Sequence, residues 1–349
     1  MCYIGSMLYK RLLKPILFLF DPEDVHNFFM DMGEWFGRHT STRAAVGTAY
    51  GYHGRDISRT VDGIVYRTPF LLSAGFDYNA RLSRVLPSIG LGGEEAGSIT
   101  ARPCEGNPKP RLTRLPRSQS ILVSKGLRNQ GVDAIIKRLK ATPREPSFVL
   151  GISIARTNDT QSVSLEAGIA DYVYSYKRLN EEGVGDYYTI NISCPNAFGG
   201  EAFTKPELLD SLLKAIKAIP SKKPLYVKMP INIPWEQFDS LLKVADARGV
   251  NGVVIGNLNK DYSSLDFREE APAAYKGGLS GKPCRKLSTE LIKKTREKYG
   301  KRFTIFGVGS VMSPEDATEK FAAGADLIQL ITGLIYEGPG LVRKMCRVV

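Results

Sequence analysis

A cysteine follows a serine and precedes a proline in the run Asn191-Ile192-Ser193-Cys194-Pro195-Asn196. A lone cysteine is most often an inert small hydrophobe. One placed in a turn after a strand can instead abstract a proton, because thiols have a reference pKa of about 8.5 and a site need only favour the thiolate modestly. Side chains alternate along a strand, so Asn191 and Ser193 share one face while Ile190 and Ile192 share the other. In Tyr226-Val227-Lys228-Met229 the same counting sets Lys228 opposite Val227 and Met229. A lysine pointing into a folded core calls for an anionic partner such as a ligand, whereas one at the wet end of its strand needs none. Gly307, Gly309 and Gly333, with Ser310 and Thr332, can bring backbone amides close to a phosphate, although glycine also merely ends strands. The three histidines, His26, His39 and His53, all fall near the start, so the rest of the chain must do acid or base chemistry without imidazole.

The chain of 349 residues is 43% hydrophobic and 24% charged, which excludes disorder and collagen-like repeats. Its net charge of +12 suits phosphates, nucleic acid or anionic lipid. The basic residues are spread widely, however, and no helix-turn-helix, zinc finger or ribonucleoprotein motif gathers them, so no nucleic-acid partner is expected. Cys2, Cys104, Cys194, Cys284 and Cys346 are odd in number and far apart, which points to a reducing intracellular compartment and to no metal site. Nucleophile-elbow, Walker and dinucleotide fingerprints are absent from the sequence.

The elements that must position these groups follow from periodicity. The first twenty residues carry Leu8, Leu12, Leu13, Ile16, Leu17, Phe18, Leu19 and Phe20 among Lys10, Arg11 and Lys14, too interrupted to span a bilayer. Asp21-Pro22-Glu23-Asp24 reads as a helix start, and Val25, Phe28, Phe29, Met32, Trp35 and Phe36 follow at helical spacing. These two short apolar helices either cap a core or rest on a membrane surface with a greasy cleft between them. Beyond a polar stretch at residues 40–60, strands are predicted at 69–73, 93–98, 148–154, 187–193, 225–229, 252–256, 303–308 and 327–330. Helical patterns at 206–218, 235–248, 288–299 and 314–323 alternate with them. Eight such units predict an α/β fold, a (β/α)8 TIM barrel over residues 41–349 with a helical extension over residues 1–40. Two intervals, 100–144 and 258–287, exceed ordinary loops; in a barrel, loops after strands stand at the catalytic face.

Three ordered motifs now carry a family resemblance: Asn191 to Asn196, Gly277-Gly278-Leu279-Ser280-Gly281-Lys282-Pro283, and Arg102-Pro103 through Gly106-Asn107 to Lys109-Pro110-Arg111. Together they resemble dihydroorotate dehydrogenase over nearly the whole chain. Asp21-Pro22-Glu23-Asp24-Val25-His26 is similar to the amino-terminal extension of the membrane-associated, quinone-linked class. The resemblance implies an FMN-dependent enzyme of pyrimidine biosynthesis that oxidises dihydroorotate with a quinone as acceptor, bound peripherally at the cytoplasmic side of a membrane. It implies that Ala74, Gly75, Ser98, Asn191, Lys228, Gly281, Gly309, Ser310, Thr332 and Gly333 hold the flavin. Asn191, Asn196 and Asn257 would bind the substrate ring, Cys194 would take its proton, and His26 and Arg114 would line the quinone path.

Departures from the family pattern are equally specific. Cysteine is the base typical of the cytosolic classes, where the quinone-linked class uses serine. Tyr78 stands where Ala74-Gly75-Phe76-Asp77-Tyr78 should end in a substrate lysine, Val123 and Ser153 replace asparagines, Leu127 a phenylalanine and Ile331 a tyrosine. Lys125 or Arg128, in the same loop as Val123, would supply the lost charge to the substrate's carboxylate. The alternatives are a relative acting on another small ring, a flavin-binding paralogue without turnover, and an RNA-modifying flavin barrel.

Overall fold

A computed structural model describes residues 9–193 and 202–349. The chain opens with a short helical stretch, α1, made by Tyr9–Leu13 and Lys14–Leu17, followed by α2 over Pro22–Arg38. Asp21 caps α2 as its type predicts, accepting hydrogen bonds from the amides of Glu23 and Asp24. The polar stretch after it holds a third helix, α3 (Thr40–Tyr50), and a hairpin of β1 (Arg59–Val61) and β2 (Ile64–Tyr66).

All eight predicted barrel strands are present: β3 (Phe70–Leu72), β4 (Gly93–Ile99), β7 (Val149–Ile154), β8 (Tyr187–Asn191), β9 (Leu225–Met229), β10 (Gly252–Ile255), β12 (Thr304–Gly307) and β13 (Leu327–Leu330). They close in chain order into one parallel barrel, β13 pairing with β3. The crossovers are α4 (Val132–Ala141), α5 (Leu165–Glu181), α6 (Pro206–Lys217), α7 (Trp235–Ala247), α8 (Arg285–Tyr299) and α9 (Pro314–Ala322). α10 (Thr332–Glu337) and α11 (Gly340–Met345) complete the chain. Outward-facing residues such as Ile190, Val227, Met229 and Val253 pack on the helices in the main core.

The two long intervals fold against each other rather than hanging free. β5 (Leu112–Leu115) and β6 (Ser120–Val123) form an antiparallel pair within the first, and β11 (Gly278–Leu279) of the second joins β6 to make a three-stranded sheet. Strands this short among Pro and Gly give too few alternations to read from sequence.

The lower barrel interior is filled by Tyr66, Leu71, Val149, Tyr187, Tyr226, Val254, Phe306 and Leu327. Tyr226 and Phe306 meet edge to face at 4.9 Å between ring centroids. Tyr66 of the hairpin is 0% exposed, so the barrel is plugged at one end and ligands can enter only at the other. Phe306→Ala should therefore cost about 3–5 kcal/mol of stability, measured by urea denaturation; a loss below about 1 kcal/mol would show that this layer does not bear on folding.

Candidate active site

Because every barrel strand is parallel, all eight carboxyl ends stand on one rim. An open cavity stands at that rim. Ala74, Lys228, Asn257, Gly281, Gly309, Ser310, Thr332 and Gly333 all line it. Lys228 reaches it because Tyr226, two residues earlier, points into the barrel; the lysine shares that inward face and is 5% exposed. Glu95 is also interior, its Oε2 accepting hydrogen bonds from Thr189 Oγ1 and Gln329 Nε2, each at 2.9 Å. Ser280, from the Gly277 to Pro283 motif, lines the cavity as well, as do Ser73, Gln329 and Cys284, which nothing in their local sequence marks.

A polar chain runs along the rim beside the cavity. Ser153 and Ser98 hydroxyls lie 2.8 Å apart, and Asn191 Nδ2 donates to Ser98 Oγ at 2.8 Å. Asn191 Oδ1 in turn accepts from Ser193, through its amide at 3.1 Å and its hydroxyl at 2.9 Å. Asn257 Nδ2 closes the chain on Ser193 Oγ at 2.7 Å. These five positions thus lock one another's rotamers, and Ser153, where the family has an asparagine, is absorbed by a hydroxyl pair. Gly75 adjoins them, its amide donating to the Gly97 carbonyl at 2.8 Å. Cys194 and Asn196, the expected base and one of the substrate asparagines, lie outside the described residues.

The far end of the cavity has the features of an anion cradle. Gly309 has φ +105°, Ser310 +52° and Gly281 +72°, and a Cβ on Gly333 would lie 2.0 Å from the Val311 carbonyl. The amides of Gly309, Ser310 and Val311 donate to no group among the described residues. Those of Thr332 and Gly333 open α10, where no intrahelical acceptor exists. Amides gathered this way suit a phosphate. The inward cation at Lys228 and the amide-rich end together fit a flavin carrying a phosphate.

The amino-terminal helices attach beside this rim through charge. Glu23 on α2 is 3% exposed and receives Arg111 through Nε at 3.1 Å and Nη2 at 2.8 Å, Lys125 Nζ at 2.8 Å and Arg128 Nη1 at 3.5 Å. Burial pulls its pKa up, but the hydrogen bonds from Arg111 and Lys125 overcome this and hold it at about 2. Lys125 therefore contacts the extension, with its ammonium 5.6 Å from the centre of the Tyr78 ring. His26 stacks edge-on against Phe76 at 4.8 Å and lies 5.5 Å from Tyr78; burial, then the charge of Lys125, push its pKa down to about 4. Arg114 donates to the Phe20 carbonyl at 2.8 Å and lies over the Phe18 ring at 4.6 Å. The Glu23 cluster is invisible to sequence spacing, since Glu23 and Arg111 are 88 residues apart.

The family model for dihydroorotate dehydrogenase matches residues 56–349. The chain belongs to the dihydroorotate dehydrogenase family. It is 34% identical over 342 residues to dihydroorotate dehydrogenase (quinone) of Christiangramia forsetii, covering 97% of each chain. It is 36% identical to the protein of that name from Salinispora arenicola, again covering 97% of each, and 35% identical to that from Rhizobium meliloti, covering 99% of this chain and 91% of the other. Among solved structures, the Eimeria tenella enzyme in complex with ferulenol superposes with a TM-score of 0.80 at 25% identity, covering 94% of this chain and 90% of that one. The ligand-free form of the same enzyme gives 0.78 at 26%, covering 92% of each. The family is flavin-dependent, in accord with the cavity, and the extension lies within the aligned length of the quinone-linked relatives.

Both Glu23 and His26 bind fewer protons in the docked extension than when released, so docking weakens as pH falls: through His26 from 6.5 towards about 4, then through Glu23 from 4.5 towards about 2. Amide protection in α2, corrected for the intrinsic exchange rate at each pH, should fall on acidification before that of the barrel strands, and Glu23→Gln should lower it already at neutral pH. Exchange in α2 that tracks the barrel at every pH would contradict this.

Proposed function

We propose that the protein oxidises dihydroorotate to orotate in pyrimidine biosynthesis, with FMN in the rim cavity and a quinone as electron acceptor. The observation that carries this reading is one cavity in which an inward lysine and a cluster of free backbone amides stand beside the strand end that leads into Cys194. FMN, when bound, supplies the acceptor for the hydride that leaves the substrate. Ala74, Gly75, Ser98, Asn191 and Lys228 hold the ring, and Gly281, Gly309, Ser310, Thr332 and Gly333 hold the phosphate. Lys228 brings a positive charge to the ring, where it favours added electron density.

Asn191, Asn196 and Asn257 orient the substrate ring, and Cys194 takes its proton as thiolate. Asn191 and Asn257 are suited to this because Ser193 fixes both amides. Lys125 answers the substrate's carboxylate in place of the lysine missing at Tyr78; Glu23 uses one of its three N–H donors. Cys194→Ala should leave the protein yellow and slow flavin reduction by dihydroorotate about 10²–10⁴-fold in stopped flow. An unchanged rate would remove Cys194 as the base.

Residues 1–40 serve as the quinone and membrane module, and residues 41–349 as the catalytic barrel. His26 and Arg114 line the path between them. Leu12, Ile16, Leu19, Phe20, Phe28 and Trp35 are each more than half exposed, an apolar surface flanked by Lys10, Arg11 and Lys14 that suits a peripheral hold on a bilayer at its cytoplasmic side. No helix among the described residues is long and apolar enough to cross a membrane. The basic residues are spread along the sequence, and no nucleic-acid partner is part of this reading. Deleting residues 1–37 should abolish reduction of a quinone analogue while sparing flavin reduction by dihydroorotate; equal quinone activity in the truncated protein would refute the role of the extension.

A further inference from the structure

Lys320 on α9 is 1% exposed, and its three acceptors are all uncharged oxygens. Its Nζ donates to Ser288 Oγ at 2.5 Å, Thr289 Oγ1 at 2.7 Å and the Arg285 carbonyl at 3.3 Å, all within the first five residues of α8. The carboxylates that its charge feels, Glu319 on α9 and Asp316 one turn earlier, are both ion-paired to Arg285. Cys284, at the start of α8, is a buried thiol pushed up to about 12 by burial, so it stays protonated and offers no counter-charge. An ammonium buried this deeply against neutral groups is costly to keep charged, and burial brings its pKa down to about 7.

The group stands directly behind the amide cradle. Ser288 Oγ lies 2.7 Å from the point where a Cβ on Gly309 would sit, so a single hydroxyl separates Lys320 from the backbone that lines the cavity. The cavity itself offers one charged side chain among its described lining residues, Lys228, which comes from the barrel interior. Lys282, next to Gly281, is exposed. A dianion in the cradle would thus face amides with no contacting cation.

We propose that Lys320 is a positioning residue for the cofactor phosphate, its ammonium acting through Ser288 beneath Gly309 as the counter-charge to a phosphate dianion held by the amides of the cradle. This rests on the reading of the cavity as an FMN site. The dianion favours the charged lysine, so FMN binding above neutral pH draws one proton onto Nζ, and affinity for FMN falls as pH rises through that range. Riboflavin, which lacks the phosphate, has no such dependence.

The test uses the full-length chain reconstituted with FMN or with riboflavin at pH 8, where the phosphate is already a dianion, with binding read from quenching of flavin fluorescence. Lys320→Met should weaken FMN binding about tenfold or more and leave riboflavin binding unchanged. Unchanged FMN affinity, or equal loss for both flavins, overturns the proposal. A wild-type protein that binds neither flavin overturns the cofactor reading, and the proposal with it. Should the variant fail to fold, calorimetry of the wild type in two buffers of different ionisation enthalpy decides: uptake of about one proton with FMN and none with riboflavin is expected, and equal uptake overturns it.

Discussion

A lysine is held inside a closed barrel at Lys228, and the rest of the site is arranged around that fact. Closure of eight parallel strands fixes which residues face inward, and the Tyr66 hairpin plugs one end. The ammonium is thereby directed to the remaining opening, where any ligand must enter. Glu95, Thr189 and Gln329 make the interior just below the rim polar, so the barrel does not end in a greasy floor. A site with positive charge at its base, backbone amides at one end and Asn191 and Asn257 joined through Ser193 along its wall suits an anionic, planar cofactor.

Charge also joins the extension to the barrel. Three cations converge on the buried Glu23, and two of them, Lys125 and Arg128, come from the segment that also carries Leu127. Removing one partner of such a cluster leaves the others buried without compensation, so breaking it costs more than its net contribution to docking. Tyr78 is part of the same contact: its ring lies near both the His26 imidazole and the Lys125 ammonium. The position that loses a lysine relative to the family pattern thus gains an aromatic surface that packs against the extension.

Much of this was legible in the sequence. The eight strands and the helices after residue 200 follow from long, strongly periodic runs, and the inward faces of Asn191 and Lys228 follow from counting alternate residues. The sheet of β5, β6 and β11 was not legible, because its strands are two to four residues long and β11 pairs with a strand far away in sequence, Leu279 opposite Leu122. Helix α3 was hidden in a polar stretch, since its threonines and alanines give little amphipathic contrast. Lys125 and Arg128 could be named as candidates, but the carboxylate they meet lies about a hundred residues away, a distance at which spacing says nothing. Lys320 occupies an ordinary helical position, and only the fold reveals that it is buried beneath Gly309.

Anaerobic titration of the purified yellow protein with dihydroorotate reads electron transfer into and out of this site directly. Complete bleaching of the flavin absorbance by one equivalent per chain is expected, with its full return on adding one equivalent of a soluble quinone. Colour that persists at saturating dihydroorotate, in protein that an artificial reductant still bleaches, would contradict it.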